Sequence, residues 1–299
     1  MMTPPTKQKK RMAKITLLLC SLTFPICAFC QHSHARTAQT HATKNQPLAT
    51  ASLIDQGFHK MYNLHFNQAH AEFVQWMAMH PEDPMGPVSN AAAYLFSEFH
   101  RTGVLDMQLF TNDNSYMNHK PGPPSRIVQQ AFDNDLDKTN QLADAVLAKN
   151  PKDARALFAK TLAYGLHADY ESLIARHDLK GFEYTKAGSQ YAHELLQADP
   201  HAYDAYLAVG MENYILGLKP APVRWLLSMA GGETNKDLGE KDLELTAADG
   251  HYLRPLAKLL LAVAAIRDKD KPKARQLLSS LAQEFPNNPL YAQQLAKID

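Results

Sequence analysis

Cysteine is nearly missing from the body of the chain: its three cysteines, Cys20, Cys27 and Cys30, all fall within the first 30 of 299 residues. Whatever folds after them has no disulfide, no thiolate nucleophile and no cysteine metal site, so its stability rests on packing. Glycine is scarce at 13 residues, and 45% hydrophobic against 20% charged residues argues against both a fibrous and a disordered chain. An excess of one charge is also lacking, with 31 basic against 30 acidic residues. Nucleic-acid binding needs a dense basic stripe to displace phosphate counterions, and the body carries none, so that class is set aside.

Motifs that carry chemistry are incomplete. His193-Glu194-Leu195-Leu196-Gln197 offers half of a zinc-protease helix, but glutamine stands where the second histidine would grip the metal. His32, His34 and His41 are dispersed in a polar stretch that reads as a solvated tail. The Gly231-to-Gly239 segment lacks the Gly-Lys-Ser/Thr order of a phosphate loop and reads as a helix-ending turn, with Glu233 to Asn235 placed to cap a following helix. The carboxylate pairs Glu82/Asp83, Asp133/Asp135 and Asp242/Glu244 read as solvated faces and caps. There is no Gly-x-Ser-x-Gly elbow around Ser89, Ser97 or Ser189. The expectation is a protein without catalysis, metal or cofactor; a hydrolase would require His167, His177 and His193 to cluster with carboxylates.

What is present begins with an export signal. Lys7, Lys9, Lys10, Arg11 and Lys14 precede an apolar run from Ile15 to Phe29, too short to span a bilayer and followed by small residues. This describes a signal peptide over about residues 1–30, with Ala28, Cys30 and Ala35 as cleavage candidates, and predicts an extracytoplasmic, periplasmic destination. Cys30 fits lipid attachment poorly because Phe29 stands where a small residue belongs, so a membrane tether is not favoured. Removing the five basic residues leaves 26 basic against 30 acidic ones, a mildly acidic mature chain. Residues 31–51 are polar and aperiodic, a flexible spacer.

From Ser52 onward apolar residues recur at three- and four-residue spacing and no strand-like alternation persists, which predicts an all-α fold over 52–299. Helices are predicted over 127–149, 154–174, 181–197, 203–216 and 223–229, with two more after Leu253. Helix stops recur at His80-Pro81, Asn150-Pro151, Asp199-Pro200 and Phe285-Pro286, since proline cannot continue a helix interior. Residues 106–125, with Thr111 to Ser115 and Pro121-Gly122-Pro123-Pro124, read as a loop insertion.

The last unit places Ala262, Ala265, Ala274, Leu278, Leu281 and Pro286 in the small, small, small, large, large and proline order of a 34-residue helical hairpin. Gly57, Ala69, Phe73, Trp76 and Pro81 repeat it near the start. Together with Ala198-Asp199-Pro200, Ala205 to Gly210, Asn213-Tyr214, Gly231-Gly232 and Leu238-Gly239, these pieces give a chain that resembles exported bacterial tetratricopeptide-repeat (TPR) proteins. The terminal prolines are unevenly spaced and several first-helix aromatics are missing, so an irregular α-solenoid of about three to five units is expected. The resemblance implies binding of a peptide or protein on a concave surface and no cofactor.

Candidate ligand-facing residues lie in the middle units: Tyr164, Tyr206, Asn213, Tyr214, Arg155, Arg176 and Arg224, with Tyr203 beside them. Tyrosine offers contact area at little entropic loss, and Asn and Arg can grip backbone or carboxylate. Asn213 leads this set, because an amide in mid-helix lowers helix propensity without a compensating role. Tyr164 and Tyr206 are alternatively packing residues between helices. The competing function is a small-molecule-binding or transport accessory protein with the 106–125 insertion lidding a pocket between helices.

Overall fold

The computed structural model describes residues 52–111, 118–120, 122–217 and 235–298. Among these, every regular element is helical: α1 Leu53–Tyr62, α2 Phe66–Met79, α3 Met85–Thr102, the short α4 Gln108–Thr111, α5 Arg126–Leu147 and α6 Ala154–Asp169. The chain continues through α7 Asp178–Ala198, α8 Tyr206–Gly217, α9 Lys236–Asp249, α10 Arg254–Arg267, α11 Lys271–Glu284 and α12 Pro289–Ile298. The signal and spacer segments, the 223–229 helix and Arg224 lie outside the described residues.

Side chains from the preceding turn start several helices. Ser52 and Asp55 form a reciprocal capping box on α1, Asp153 accepts from Ala156 N–H on α6, Asn235 from Leu238 N–H on α9, and Asp270 from Lys273 N–H on α11. Asn235 was expected to cap a helix, yet α9 itself is missing from the predicted helices. Its Lys-Asp-Leu-Gly-Glu-Lys-Asp-Leu sequence presents charge on most sides, so the apolar stripe is thin. All four proline turns end helices as expected, at α2, α5, α7 and α11. The 106–125 insertion is not wholly irregular, because α4 forms at its start.

Each long helix packs on its sequence neighbour, α1 on α2, α2 on α3, α5 on α6, α6 on α7 and onward to α12, with α3 against α5 across the insertion, while the short α4 packs on α10. Such neighbour-on-neighbour packing is consistent with an α-solenoid. Most hairpin positions read from the sequence are buried, Ala69 and Phe73 in the first unit and Ala262, Ala265, Ala274, Leu278 and Leu281 in the last, while Trp76 is half-buried and the closing Pro81 and Pro286 are exposed. Gly57 shows why small residues stand there. A Cβ on it would lie 2.2 Å from the Phe73 ring.

The first and last hairpins also meet. Tyr62 Oη donates to the Tyr252 carbonyl at 3.0 Å, Asn288 Nδ2 to the Tyr62 carbonyl at 2.9 Å, and Asn287 N to Asn63 Oδ1 at 3.1 Å. Gln294 Nε2 reaches Asp106 Oδ1 at 2.8 Å, and Arg267 donates to the Phe110 carbonyl at 3.0 Å. One continuous core runs from Ile54 and Phe58 to Tyr291 and Ile298. No helix among the described residues is long and apolar enough to cross a membrane.

The closure includes one titrating link, His251 Nε2 to Asp55 Oδ1 at 2.7 Å. The Asp55 contact raises the His251 pKa from its ordinary 6.5. Burial works against the Asp55 charge, but His251 and Ser52 outweigh it and hold the carboxyl below its ordinary 3.8. A raised histidine stabilises fully below 6.5 and loses that contribution as pH climbs through its folded value; a lowered carboxylate stabilises above 3.8 and loses it on acidification. Both partners are partly exposed, so the expected effect is small, a fall in Tm of about 2 °C above neutral pH that His251→Gln removes. Thermal unfolding of both proteins across pH checks it, and an unchanged alkaline limb in the variant would exclude this link.

Candidate functional site

Helix ends from four parts of the chain converge on one cleft of about 270 Å³. Its walls come from the start of α3 (Met85), the first turn of α6 (Arg155, Phe158), the turn after α7 (His201 to Asp204) and the α9–α10 connection (Asp249, His251, Tyr252). Proline turns and caps put most of these side chains here, since they lie within a few residues of where a helix is forced to stop or start.

Arg155 is the best-held group. Its Nε and Nη2 donate to Asp83 Oδ1 and Oδ2 at 2.8 and 2.6 Å, and the guanidinium carbon lies 5.7 Å from the centre of the Trp76 ring. Asp83 also accepts from Trp76 Nε1 at 2.8 Å and Met85 N at 3.0 Å. Burial opposes the Asp83 charge, but Arg155, Met85 and Trp76 overcome it and keep the carboxyl below its usual range. The Asp83 contact in turn raises Arg155. A two-pronged Arg–carboxylate contact fixes orientation as well as charge. The Arg155 side chain remains 46% exposed, so it is presented to the cleft and not consumed by its pair.

Tyr252 lines the same cleft and hydrogen-bonds with Arg155. Its ring stacks on Phe158 at 6.1 Å between centroids and lies 4.9 Å from Phe58, and burial pushes its phenol up to about 12. The turn carrying it is fixed by Asp204, which accepts from His251 N, Tyr252 N and Leu253 N at 2.9, 3.0 and 3.0 Å. The cleft therefore combines a stacked aromatic wall, one oriented cation and two carboxylates, Asp204 and Asp249.

The sequence-predicted residues do not assemble as a set. Arg155 and Tyr203 line the cleft, and Tyr206 is stacked on Tyr203 at 6.4 Å with its hydroxyl donating to the Pro200 carbonyl at 3.3 Å. Tyr164 belongs to another face of α6, stacked on Tyr191 at 5.4 Å with Lys160 Nζ 5.5 Å from its ring centre. Asn213 is 1% exposed; its Nδ2 donates to the Val209 carbonyl and its Oδ1 accepts from Asn235 N at 3.1 Å. Its mid-helix amide thus ties α8 to the start of α9. Tyr214 is buried beside it, with Lys236 Nζ 5.9 Å from its ring centre. Arg176 ends the π-helical turn Tyr170–Ala175 in a left-handed conformation and donates to the His119 carbonyl at 3.1 Å.

Sequence reasoning missed Asp83, His251, Tyr252 and Asp204 as site residues. The His80–Pro84 stop signal marked the Asp83 turn, but nothing local marked the loop 250–253, which matters only because α1 and α6 come back to it. Elsewhere, Glu171 accepts from Lys180 and pairs with His177 Nδ1 at 2.8 Å, a partial clustering of histidine with carboxylate on the π-helical turn. No trio of His, Cys, Asp or Glu able to hold a metal occurs among the described residues. Compared with known proteins, the chain matches no family model, no curated protein and no solved structure.

Proposed function

We propose that this protein is a non-catalytic, exported binding scaffold of TPR-like hairpins that holds a peptide or protein segment and seats one of its acidic or carboxyl-terminal groups against Arg155. The observation that carries this reading is the two-pronged hold of Asp83 on Arg155 beside Trp76, which orients a cation at the wall of a cleft without covering it. Arginine and aromatic anchors of this kind dominate binding energy where they occur. The basic and apolar start of the chain supports export.

Affinity capture of the full chain's mature form from its native envelope, followed by mass spectrometry, tests the reading. Arg155→Ala is expected to weaken the captured complex by at least ~30-fold, the loss typical of an arginine anchor. Arg155→Lys keeps a charge beside Asp83 but loses the fork, and should recover only part of the affinity. Capture that both variants leave unchanged would exclude the cleft as the binding surface.

A second reading is a small-molecule-binding or accessory protein. The cleft volume of about 270 Å³ favours it, being near the lower end for ligand pockets and small for a peptide backbone. A metabolite released from the natively purified protein, with no protein captured, would select it.

A further inference from the structure

A row of half-buried aromatic rings crosses from α6 to α7. His167 stacks on Tyr184 at 4.7 Å between centroids, Tyr184 lies 6.1 Å from Tyr164, and Tyr164 stacks on Tyr191 at 5.4 Å. Spacing along each helix explains the row: Lys160, Tyr164 and His167 recur at four and three residues on α6, and Lys180, Tyr184 and Tyr191 share one stripe of α7. The packing of α6 on α7 sets the two stripes ring against ring.

Helix α5 edges this row with acids. Asp133, Asp137, Asn140 and Asp144 recur at the same helical spacing, with Asp137 and Asp144 exposed. Asp144 accepts from Lys160 Nζ at 2.8 Å, and the Phe132 ring lies 5.8 Å from His167, so the acidic stripe runs beside the aromatic one. Asp133 and Asp137 lie close enough to act on His167 and on each other.

The lysines of this face are already paired. Lys160 has a side chain only 4% exposed, held by Asp144 and lying 5.3 Å from the Tyr191 ring centre, and Lys180 pairs with Glu171. That leaves Asp133 and Asp137 without an ion pair among the described residues, and burial of His167 favours its neutral form, so it does not compensate them. Asn140 Oδ1, within a turn of Asp137, is shut from solvent and accepts no hydrogen bond from the described residues. Two unpaired carboxylates and an empty acceptor beside open aromatic rings call for a planar cation with several N–H donors, which is the chemistry of a guanidinium.

We propose that the α5–α6–α7 face is a second docking surface, one that takes an extended, arginine-bearing segment of a protein partner. Arginines two residues apart in an extended chain project to one side about 7 Å from each other, near the spacing of about 6 Å between side chains one helical turn apart, as Asp133 and Asp137 are. The guanidinium groups pair with these carboxylates and stack on Tyr184 and Tyr164. The acidic stripe from Asp133 to Asp144 runs about 16 Å, room for about five extended residues. The surface does not rest on the reading of the Arg155 cleft, which receives an anion.

Calorimetric titration of the full chain with the capped peptide Ala-Arg-Ala-Arg-Ala and with its capped counterpart Ala-Gln-Ala-Gln-Ala, near neutral pH and at low ionic strength, tests it. The arginine peptide is expected to bind at least ~10-fold more tightly than the glutamine peptide. Asp133→Asn combined with Asp137→Asn should remove that preference while leaving helical circular dichroism unchanged, because both replacements keep the side-chain shape on an accessible face. Tyr184→Leu should weaken the arginine peptide by about 3-fold through lost stacking. Arg155→Ala should leave its affinity unchanged, since a capped peptide offers that cleft no carboxylate. The probe 1,5-diaminopentane, with two charges but no fork and no backbone, is expected to bind at least ~5-fold more weakly than the arginine peptide. Equal binding of the two peptides, unchanged binding by the double variant, loss of binding in Arg155→Ala, or a diamine that binds as well as the arginine peptide would each overturn the proposal.

Discussion

Gly239→Ala is expected to destabilise the protein by about 3 kcal/mol, lowering Tm by about 6–12 °C for a chain of this size. A Cβ on Gly239 would stand 2.5 Å from Tyr214 N and 2.6 Å from the Gly210 carbonyl oxygen, and one on Gly210 would stand 2.9 Å from the Gly239 carbonyl oxygen. Helices α8 and α9 thus cross in backbone contact at this pair. Backbone cannot rotate out of the way as a side chain can, so a single methyl must push the two helices apart. Gly165→Ala is the matched control: it adds the same methyl to a helix where no described atom lies within 4 Å, and alanine favours helix by about 1 kcal/mol. The control should hold or raise Tm while Gly239→Ala lowers it. Equal Tm values would mean that the α8–α9 crossing is looser than the geometry gives. The crossing also matters for the cleft, because α9 ends at Asp249 and leads directly into His251 and Tyr252.

The same two glycines mark how far the sequence could be read. Gly210 and Gly239 stood among the pieces of the family resemblance, and proline stops, caps and the buried alanines of the last unit located most helices, because all of these act within a few residues of themselves. The all-helical class and the neighbour-on-neighbour packing follow from such local signals. The site does not. Asn213 was the leading candidate since a mid-helix amide needs a purpose, and it has one, but that purpose is the Asn235 backbone N–H 22 residues away. Arg155 entered the candidate set only as a cation in the middle units; its role depends on Asp83, 72 residues earlier, and on Tyr252, nearly a hundred later. Polar contacts that join distant turns leave no periodicity, so the closure of the first hairpin against the last was equally hidden.

Asp204→Ala is expected to lower stability by about 3 kcal/mol and to loosen the cleft, because this one carboxylate serves the backbone of the whole α9–α10 turn. Helix α10 starts at Arg254 behind Leu253, which gives it no side-chain cap, so Asp204 supplies from another loop what a serine or aspartate normally supplies locally. Without it, three N–H groups in a partly buried turn lose their acceptor together, and Tyr252 loses the backbone that sets its ring on Phe158. Burial outweighs those three donors and leaves the Asp204 carboxyl above its usual range, so ionisation is disfavoured in the folded protein and the acceptor positions are expected to carry the effect. Asp204→Asn separates the two contributions. It retains the oxygen position that receives His251 and Leu253 but turns an N–H₂ toward Tyr252, and should therefore keep more than half of the stability that alanine removes. Denaturant unfolding of both variants, with hydrogen exchange of the 251–253 amides, reads this directly. If asparagine proves as damaging as alanine, the charge and not the geometry holds the turn, and the loop would then be expected to open on acidification.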